Sequence, residues 1–227
     1  MEVSIIVPVY NRRAYLRDAL KSALAERQPG LEILVVDDGS TDDSLATIRD
    51  LPVKVVSYGG GKRGPAAARN RGLALAKGQM IGFLDSDDLV VPNGLRWRVQ
   101  FLLQNKDIGA VAGTLAGIVD AAGMTVGSYE YVFPGHQSQA DVPGTISVTL
   151  FRREYLAQLG KFDERLNVAD DKDLFLRAVR GGRLARRPFP VILYRLHGEN
   201  LSVLKEGSKY RARPVTRAEG WLLSQET

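Results

Sequence analysis

Three acidic clusters and one histidine hold the groups in this 227-residue chain whose types and spacing could do chemistry. Asp85-Ser86-Asp87-Asp88 puts three carboxylates into four positions, directly after the apolar run Met80 to Leu84. If extended geometry continues past that run, Asp85 and Asp87 point the same way. Two carboxylates converging at the end of a buried strand repel unless a cation lies between them. A hard divalent ion with oxygen ligands, Mg2+ or Mn2+, suits that position. Taken alone, the cluster reads more simply as turn and helix-capping residues ahead of Pro92. Asp37-Asp38, with Gly39 after it, has the same two readings: a turn, or an acceptor for the hydrogen bonds of a nucleotide base or ribose. Asp170-Asp171-Lys172-Asp173 opens a helix, where acids gain ~0.3–1 kcal/mol from the helix N-terminus. The chemical alternative is a general base that takes a proton from an attacking hydroxyl. His197 closes the run Val191 to Leu196, and an imidazole there is a credible metal ligand only in the company of carboxylates. His136, in a polar stretch, reads as a surface residue.

The elements that must position these groups follow from hydrophobic period. Val3 to Val9, Leu31 to Val36, Val53 to Tyr58 and Met80 to Leu84 read as buried strands. Helices are expected over Ala14 to Ala25, from the Ser40-Thr-Asp-Asp43 capping box to about Arg49, and over Pro65 to about Lys77. Strands alternating with helices imply a largely parallel α/β sheet, and ligands bind such sheets beyond the carboxyl ends of the strands. Asp37, Asp38, Asp85 and Asp87 should therefore gather on one edge. A further helix is expected from Pro92 to about Asn105, a strand over Gly109 to Val119, and a long loop or short hairpin over Asp120 to Gly144. Thr145 to Phe151 reads as a strand, Arg153 to Leu159 and Asn167 to Val179 as helices, and Val191 to Leu196 as a late strand. The second half should form a smaller mixed sheet packed against the first.

Bulk properties narrow the class. The apolar fraction of 44% supports a full core, and the absence of cysteine rules out disulfide scaffolds and thiolate metal sites. Met1-Glu2-Val3 lacks the basic start of a signal peptide, and no apolar run approaches the ~18 residues of a membrane span. The expected location is the cytoplasm. The net charge of +5 is concentrated late, in Arg183, Arg186, Arg187, Lys205, Lys209, Arg211, Arg213 and Arg217. The tail, 206–227, reads as a solvated segment whose aromatic end docks on the domain. Its alternative is a peripheral contact with the inner face of the membrane and a lipid-linked acceptor. Nucleic-acid binding has no motif behind it. Gly59-Gly60-Gly61-Lys62-Arg63-Gly64 matches the dinucleotide pattern G-x-G-x-x-G, but three consecutive glycines meet it cheaply and it follows the third strand instead of opening the fold. The phosphate-loop pattern fails, because Lys62 is followed by Arg63.

Six motifs in order carry a family resemblance. Val3-Ser-Ile-Ile-Val-Pro-Val-Tyr10-Asn11, Val35-Val-Asp-Asp-Gly-Ser-Thr-Asp42, Ala68-Arg-Asn-Arg-Gly72 and Gly82-Phe-Leu-Asp-Ser-Asp-Asp88 come first. Gly160-Lys-Phe-Asp-Glu164 with Asp170-Asp-Lys-Asp-Leu174, and Tyr194-Arg-Leu-His197 with Asn200 and Ser202, complete the set. Over residues 3 to 203 the chain resembles the family 2 glycosyltransferases. The resemblance implies a GT-A fold, a Rossmann-like, mostly parallel sheet in a single domain over 1–205, with a nucleotide-binding half (1–112) and an acceptor half (113–205).

The resemblance also implies roles. Pro8, Tyr10 and Asp38 fall where the family contacts the nucleotide base, commonly uracil, and Arg69 falls with the donor-binding residues. Asp85 and Asp87 occupy the D-x-D positions that hold a divalent metal at the donor, with Asp87 the principal ligand and His197 an additional one. Asp171 falls at the catalytic base of an inverting transfer; Asp170 stands where glutamate is usual. The implied activity is metal-dependent transfer of a sugar from a nucleotide sugar, a UDP-sugar, to the hydroxyl of a carbohydrate or lipid-linked saccharide in polysaccharide or glycolipid synthesis. The alternatives are a nucleotidyltransferase, whose basic glycine-rich signature is missing near the first strand, and a non-catalytic sugar-nucleotide binding protein.

Overall fold

The computed structural model describes residues 2–58, 61–127, 145–166, 169–198 and 200. Chain order is β1 (Val3–Val9), α1 (Leu16–Ala25), β2 (Leu31–Asp37), a 3-10 turn (Leu45–Ile48), β3 (Lys54–Ser57), α2 (Pro65–Leu75) and β4 (Met80–Phe83). There follow β5 (Leu89–Val90), α3 (Gly94–Gln104), β6 (Ala110–Val119), β7 (Thr125–Gly127) and a second 3-10 turn (Ile146–Val148). The last elements are β8 (Thr149–Arg152), α4 (Arg153–Leu159), α5 (Asp170–Arg180) and β9 (Leu184–Arg195).

One sheet runs β3-β2-β1-β4-β8-β6-β9-β5, with β7 paired to β6. The strands β1 to β4 are mutually parallel, as are β6 and β9, whereas β8 is antiparallel to both β4 and β6. The smaller mixed sheet expected for the second half is thus an edge-to-edge extension of the first, joined through the β4–β8 pair. Strand β6 runs across 112–113, the expected junction of the two halves.

Alternation along β1 shows how the layers form. Val3, Ile5, Val7 and Val9 pack with Leu16 and Leu20 of α1 and with Leu95 and Val99 of α3. Ile6 packs on the opposite face, with Ala66 and Ala68 of α2. Helix α1 buries Leu16, Ala19, Leu20 and Ala23, one face at helical spacing. Pro8 sits in this interior strand because β4 pairs with β1 only as far as Ile6, so the amide that proline lacks has no partner strand to serve.

Three expectations change. The helix expected from Ser40 to Arg49 is only the turn Leu45–Ile48, because its capping side chains bind the chain after β1. Asn11 N donates to Ser40 Oγ at 3.1 Å, Arg13 N to the neighbouring Asp42 Oδ2 at 3.1 Å, and Arg12 N to Ser44 Oγ at 2.7 Å. The strand expected from Thr145 starts at Thr149, since the Thr145 side chain accepts from Ser147 N and folds the intervening residues into a turn. Strand β9 begins at Leu184, seven residues before the expected start. The added stretch carries Arg186, Arg187, Pro188 and Pro190; β5 covers only Ile192 and Leu193 of this strand, and proline is tolerated on the open edge. Of the segment 120–144, expected as a long loop or short hairpin, residues 120–127 form a turn and β7, which pairs back on β6; residues 128–144 and the tail 206–227 lie outside the described residues.

Close approach of α2's exit to the sheet demands glycine at one point. A Cβ on Gly78 would lie 2.4 Å from Ser4 N and 2.7 Å from the Val3 carbonyl carbon, both backbone atoms that cannot rotate away. Gly78→Ala is expected to lower stability by about 1–3 kcal/mol, the cost of overpacking, at about 2–4 °C per kcal/mol in a chain of this size. Thermal unfolding followed by circular dichroism checks this; an unchanged Tm would contradict the packing described.

Candidate functional site

The carboxyl ends of β1, β2 and β4 meet where the strand order reverses about β1, and the acidic clusters lie there. Strand geometry stops at Phe83, and Asp88 N donates to Asp85 O at 3.1 Å to close a turn. Asp85 and Asp87 therefore take different partners, and each meets an arginine of this chain. Asp85 Oδ1 accepts from Arg69 Nη2 at 2.8 Å and its Oδ2 from Thr145 Oγ1 at 3.1 Å, while its amide donates to Ser147 Oγ at 3.0 Å. Asp87 Oδ2 accepts from Arg12 Nε at 3.2 Å and lies 3.0 Å from His197 Nε2. Burial alone would raise the Asp87 pKa; the His197 contact and the Arg12 charge outweigh it and hold the group below the usual carboxylate range.

Asp88 is fully buried and accepts from Arg195 N at 3.1 Å, so it ties the turn to the end of β9. Burial, with the charges of Asp87 and Asp85 beside it, pushes its pKa well up. The Arg195 side chain is buried too. It donates from Nε to Asp87 O at 2.9 Å and from Nη1 to Ala121 O at 2.9 Å, and its guanidinium lies 5.2 Å from the Tyr15 ring centroid. Tyr15 also stacks on His197, ring centroids 4.4 Å apart, and Asn200 Oδ1 accepts from His197 N at 2.5 Å. The imidazole is thereby held in place beside Asp87.

At the end of β2, Asp37 Oδ1 accepts from Ser40 N at 3.0 Å. Asp38 is buried and accepts from Arg63 N at 2.8 Å and Gly64 N at 2.7 Å, closing the loop ahead of α2. In the same loop Lys62 Nζ sits 4.2 Å over the Tyr10 ring. Gly39 has φ +84°, and a Cβ there would lie 3.3 Å from the Gly61 carbonyl carbon, so the two loops touch through glycine. Gly59 and Gly60 of the glycine-rich stretch lie outside the described residues. Pro8 lies at the exit of β1, just past the point where β4 stops pairing.

Asp170 and Asp171 open α5, entered through Ala169 at φ 64°. Asp170 is buried, its Oδ2 accepting from Arg69 Nη1 at 2.6 Å. Asp171 Oδ1 accepts from Lys172 N at 2.8 Å. Burial raises the Asp171 pKa; Arg69 pulls it down, and the charges of Asp85 and Asp170 push it up again, leaving it above the ordinary value. Arg69 bonds Asp85 and Asp170, and its charge reaches Asp171. Arg12, Tyr15, Thr145, Ser147 and Arg195 were missed by sequence reasoning. Arg12 and Arg195 stand one or two positions from residues singled out there, and a cation directly past a strand end was the available signal; Thr145 and Ser147 gave none.

Among the described residues no group of three or more His, Asp or Glu side chains is arranged to hold a metal ion. The donor set still fits one of the hard divalent type bound together with phosphate. Mg2+ commonly takes only one or two carboxylates and completes its shell with substrate phosphates and water. Asp87, whose side chain is 14% exposed, and His197 Nε2 supply such a pair. Both oxygens of Asp85 are engaged by Arg69 and Thr145. No helix among the described residues is long and apolar enough to cross a membrane.

A family model described as glycosyl transferase family 2 matches residues 4–159. The chain is 34% identical over 199 residues to the succinoglycan biosynthesis protein ExoU of Rhizobium meliloti, an alignment covering 80% of this chain and 58% of that one. The structure of S. aureus TarS 1-349 in complex with UDP-GlcNAc aligns with TM-score 0.74 at 23% identity, over 90% of this chain and 61% of the other. The mannosyltransferase PcManGT from Pyrobaculum calidifontis in complex with GDP-Man and Mn2+ aligns with TM-score 0.68 at 23% identity, over 88% of this chain and 58% of the other. The chain spans less than half the length of other curated relatives, 43% in one case and 18% in another.

With its folded-state pKa above the unfolded value, ionised Asp171 opposes folding above the folded pKa, and the penalty vanishes below the unfolded one. Asp171→Asn is therefore expected to melt higher than the parent at pH 7, by a margin that shrinks as pH falls through the carboxylate range. Thermal scans of both proteins across that range check it; a constant difference would remove titration as the cause.

Proposed function

Since this chain belongs to glycosyl transferase family 2, we propose that it moves a sugar from a nucleotide sugar, a UDP-sugar, to an acceptor hydroxyl with inversion at the anomeric carbon. The observation that carries this reading is the division of labour between the two acids at the start of α5. Asp170 is buried and bound to a guanidinium at 2.6 Å. Asp171 is less buried, with its proton affinity raised toward the range useful for a general base. The acceptor oxygen forms a bond to the anomeric carbon as the bond from that carbon to the diphosphate oxygen breaks. Asp171 takes the hydroxyl proton, and one displacement inverts the centre.

Pro8, Tyr10 and Asp38 form the nucleotide end of the site. The Asp38 oxygens each accept one backbone amide and each keep a second lone pair for a base N–H. Tyr10 offers a ring face to the base once Lys62 moves aside. Asp87 and His197 would hold a divalent ion, Mg2+ or Mn2+, with Asp85 beside them; when bound, it supplies positive charge to the departing diphosphate. The complexes of the aligned structures with UDP-GlcNAc and with GDP-Man and Mn2+ support a nucleotide-sugar donor and a metal. The likeness to ExoU supports a saccharide acceptor in polysaccharide synthesis.

Released diphosphate measured across a panel of nucleotide sugars tests the reading, with one or a few donors expected to give turnover. Asp171→Asn should lower kcat by about 10²–10⁴-fold, the range for loss of a general base, while donor binding persists. Full turnover in that variant would remove Asp171 from the base role, and binding of sugar nucleotides without any turnover in the parent would favour a binding protein. UDP titrated calorimetrically with and without MnCl2 tests the metal pair: tighter binding with Mn2+ is expected, and equal affinity would count against Asp87 and His197.

A further inference from the structure

Arg69 lies in Ala68-Arg-Asn-Arg-Gly72, the motif whose resemblance assigns it to the donor, and its side chain ends on two carboxylates. It is 7% exposed, with Nη1 on Asp170 Oδ2 at 2.6 Å and Nη2 on Asp85 Oδ1 at 2.8 Å. Its Nε is buried with no hydrogen-bond partner. The guanidinium lies 5.6 Å from the Phe162 ring centroid. The next residue grips the same segment: Asn70 Oδ1 accepts from Phe162 N at 2.9 Å, and Nδ2 donates to Phe162 O at 3.0 Å and to Glu164 Oε1 at 2.8 Å. Two consecutive residues of α2 therefore hold three segments far apart in sequence: the end of β4, residues 162–164 and the start of α5.

We propose, on the reading of the chain as a glycosyltransferase, that Arg69 is a positioning residue that fixes the start of α5, and with it the Asp171 carboxyl, against the end of β4, and does not bind the donor diphosphate. Successive helical residues are turned by about 100°, so pinning Asp170 inward on Arg69 sets the direction in which Asp171 faces. Ala169, at φ 64°, makes the entry to the helix a conformation that non-glycine residues adopt at a cost, and the Asp170–Arg69 bond is a long-range contact that holds it. Without the guanidinium, the carboxylates of Asp85, Asp170 and Asp171 repel one another. Lysine does not replace it, since one ammonium is a point charge and cannot reach two carboxylates as a planar fork does. A displacement of about 1 Å at a reacting group costs about 10²-fold in rate.

The test compares Arg69→Lys, Arg69→Gln, Asp170→Asn and the Arg69→Gln/Asp170→Asn pair in the full chain. Calorimetry with UDP reports donor binding, and diphosphate release from the nucleotide sugar that the parent hydrolyses fastest reports turnover. The expected result is unchanged UDP affinity and donor KM in every variant, kcat lowered by about 10²-fold in each single variant, and kcat in the pair recovered by about tenfold over Arg69→Gln. The recovery follows because Asp170→Asn removes the buried charge that Arg69→Gln leaves uncompensated. Weakened UDP affinity with kcat retained would overturn the proposal in favour of a diphosphate contact, and so would a loss in the pair equal to the product of the two single losses. Amide exchange over residues 169–176 is independent of turnover and is expected to rise in Arg69→Lys; unchanged exchange there would overturn the proposal even if the parent processed no nucleotide sugar, a result that defeats the functional reading alone. Should Arg69→Gln fail to fold, Asp170→Asn carries the same prediction, and parental kcat in that variant is equally fatal.

Discussion

A pile-up of negative charge at one sheet edge is the constraint on which this structure turns. The topology brings the ends of β2 and β4 together with the start of α5, and each delivers acids. An uncompensated buried charge costs several kcal/mol, and most of these acids are met by a group from a distant part of the chain, while Asp37 and Asp171 bond the nearby amides of Ser40 and Lys172. Arg12, past the end of β1, meets Asp87; Arg69 of α2 meets Asp85 and Asp170; the amide of Arg195 at the end of β9 meets Asp88. Charge compensation therefore crosses the sheet and both helical layers, and the edge is held as one unit.

That network also separates acids committed to the fold from those open to a ligand. Asp88 and Asp170 are buried and tied into the fold, one by a backbone amide and one by a guanidinium. Asp87 and Asp171 keep some exposure, and their proton affinities move in opposite directions, down where a cation is the neighbour and up where burial and other acids dominate. A group that stays ionised and a group that readily holds a proton are what a donor platform and a general base require in the proposed transfer.

Local features were legible where a local rule decides them. The first four strands, α1, α2 and α3 follow from hydrophobic period, and the gathering of Asp37, Asp38, Asp85 and Asp87 on one edge follows from α/β topology. Failures came where side chains left their own element. The capping box at Ser40 looked like a helix start because its residues have that spacing; in the fold they bind the chain after β1. Asp85 and Asp87 were expected to face one way, which holds only while the strand continues, and it stops at Phe83. The early start of β9, across Pro188 and Pro190, was not legible because the sequence does not say which edge of a strand is open. Arg69 was legible as a site residue through its motif, but its two carboxylate partners, 16 and 101 positions away, were not.

The antiparallel insertion of β8 between β4 and β6 bears on how the chain reaches this state. Met80 to Gly82 must wait for Leu150 to Arg152, about seventy residues later, before their second edge is hydrogen bonded. Pairings of that range fold slowly, because loop closure precedes any gain from contact. During synthesis from the N-terminus, β4 emerges as an apolar strand with one side of its backbone unpaired, the kind of edge that templates association with other chains. Arg153 donates to the carbonyls of Gly78, Gln79 and Ala76, just ahead of β4. The arrival of β8 and Arg153 closes that edge, and until then β4 offers an unpaired edge to other chains.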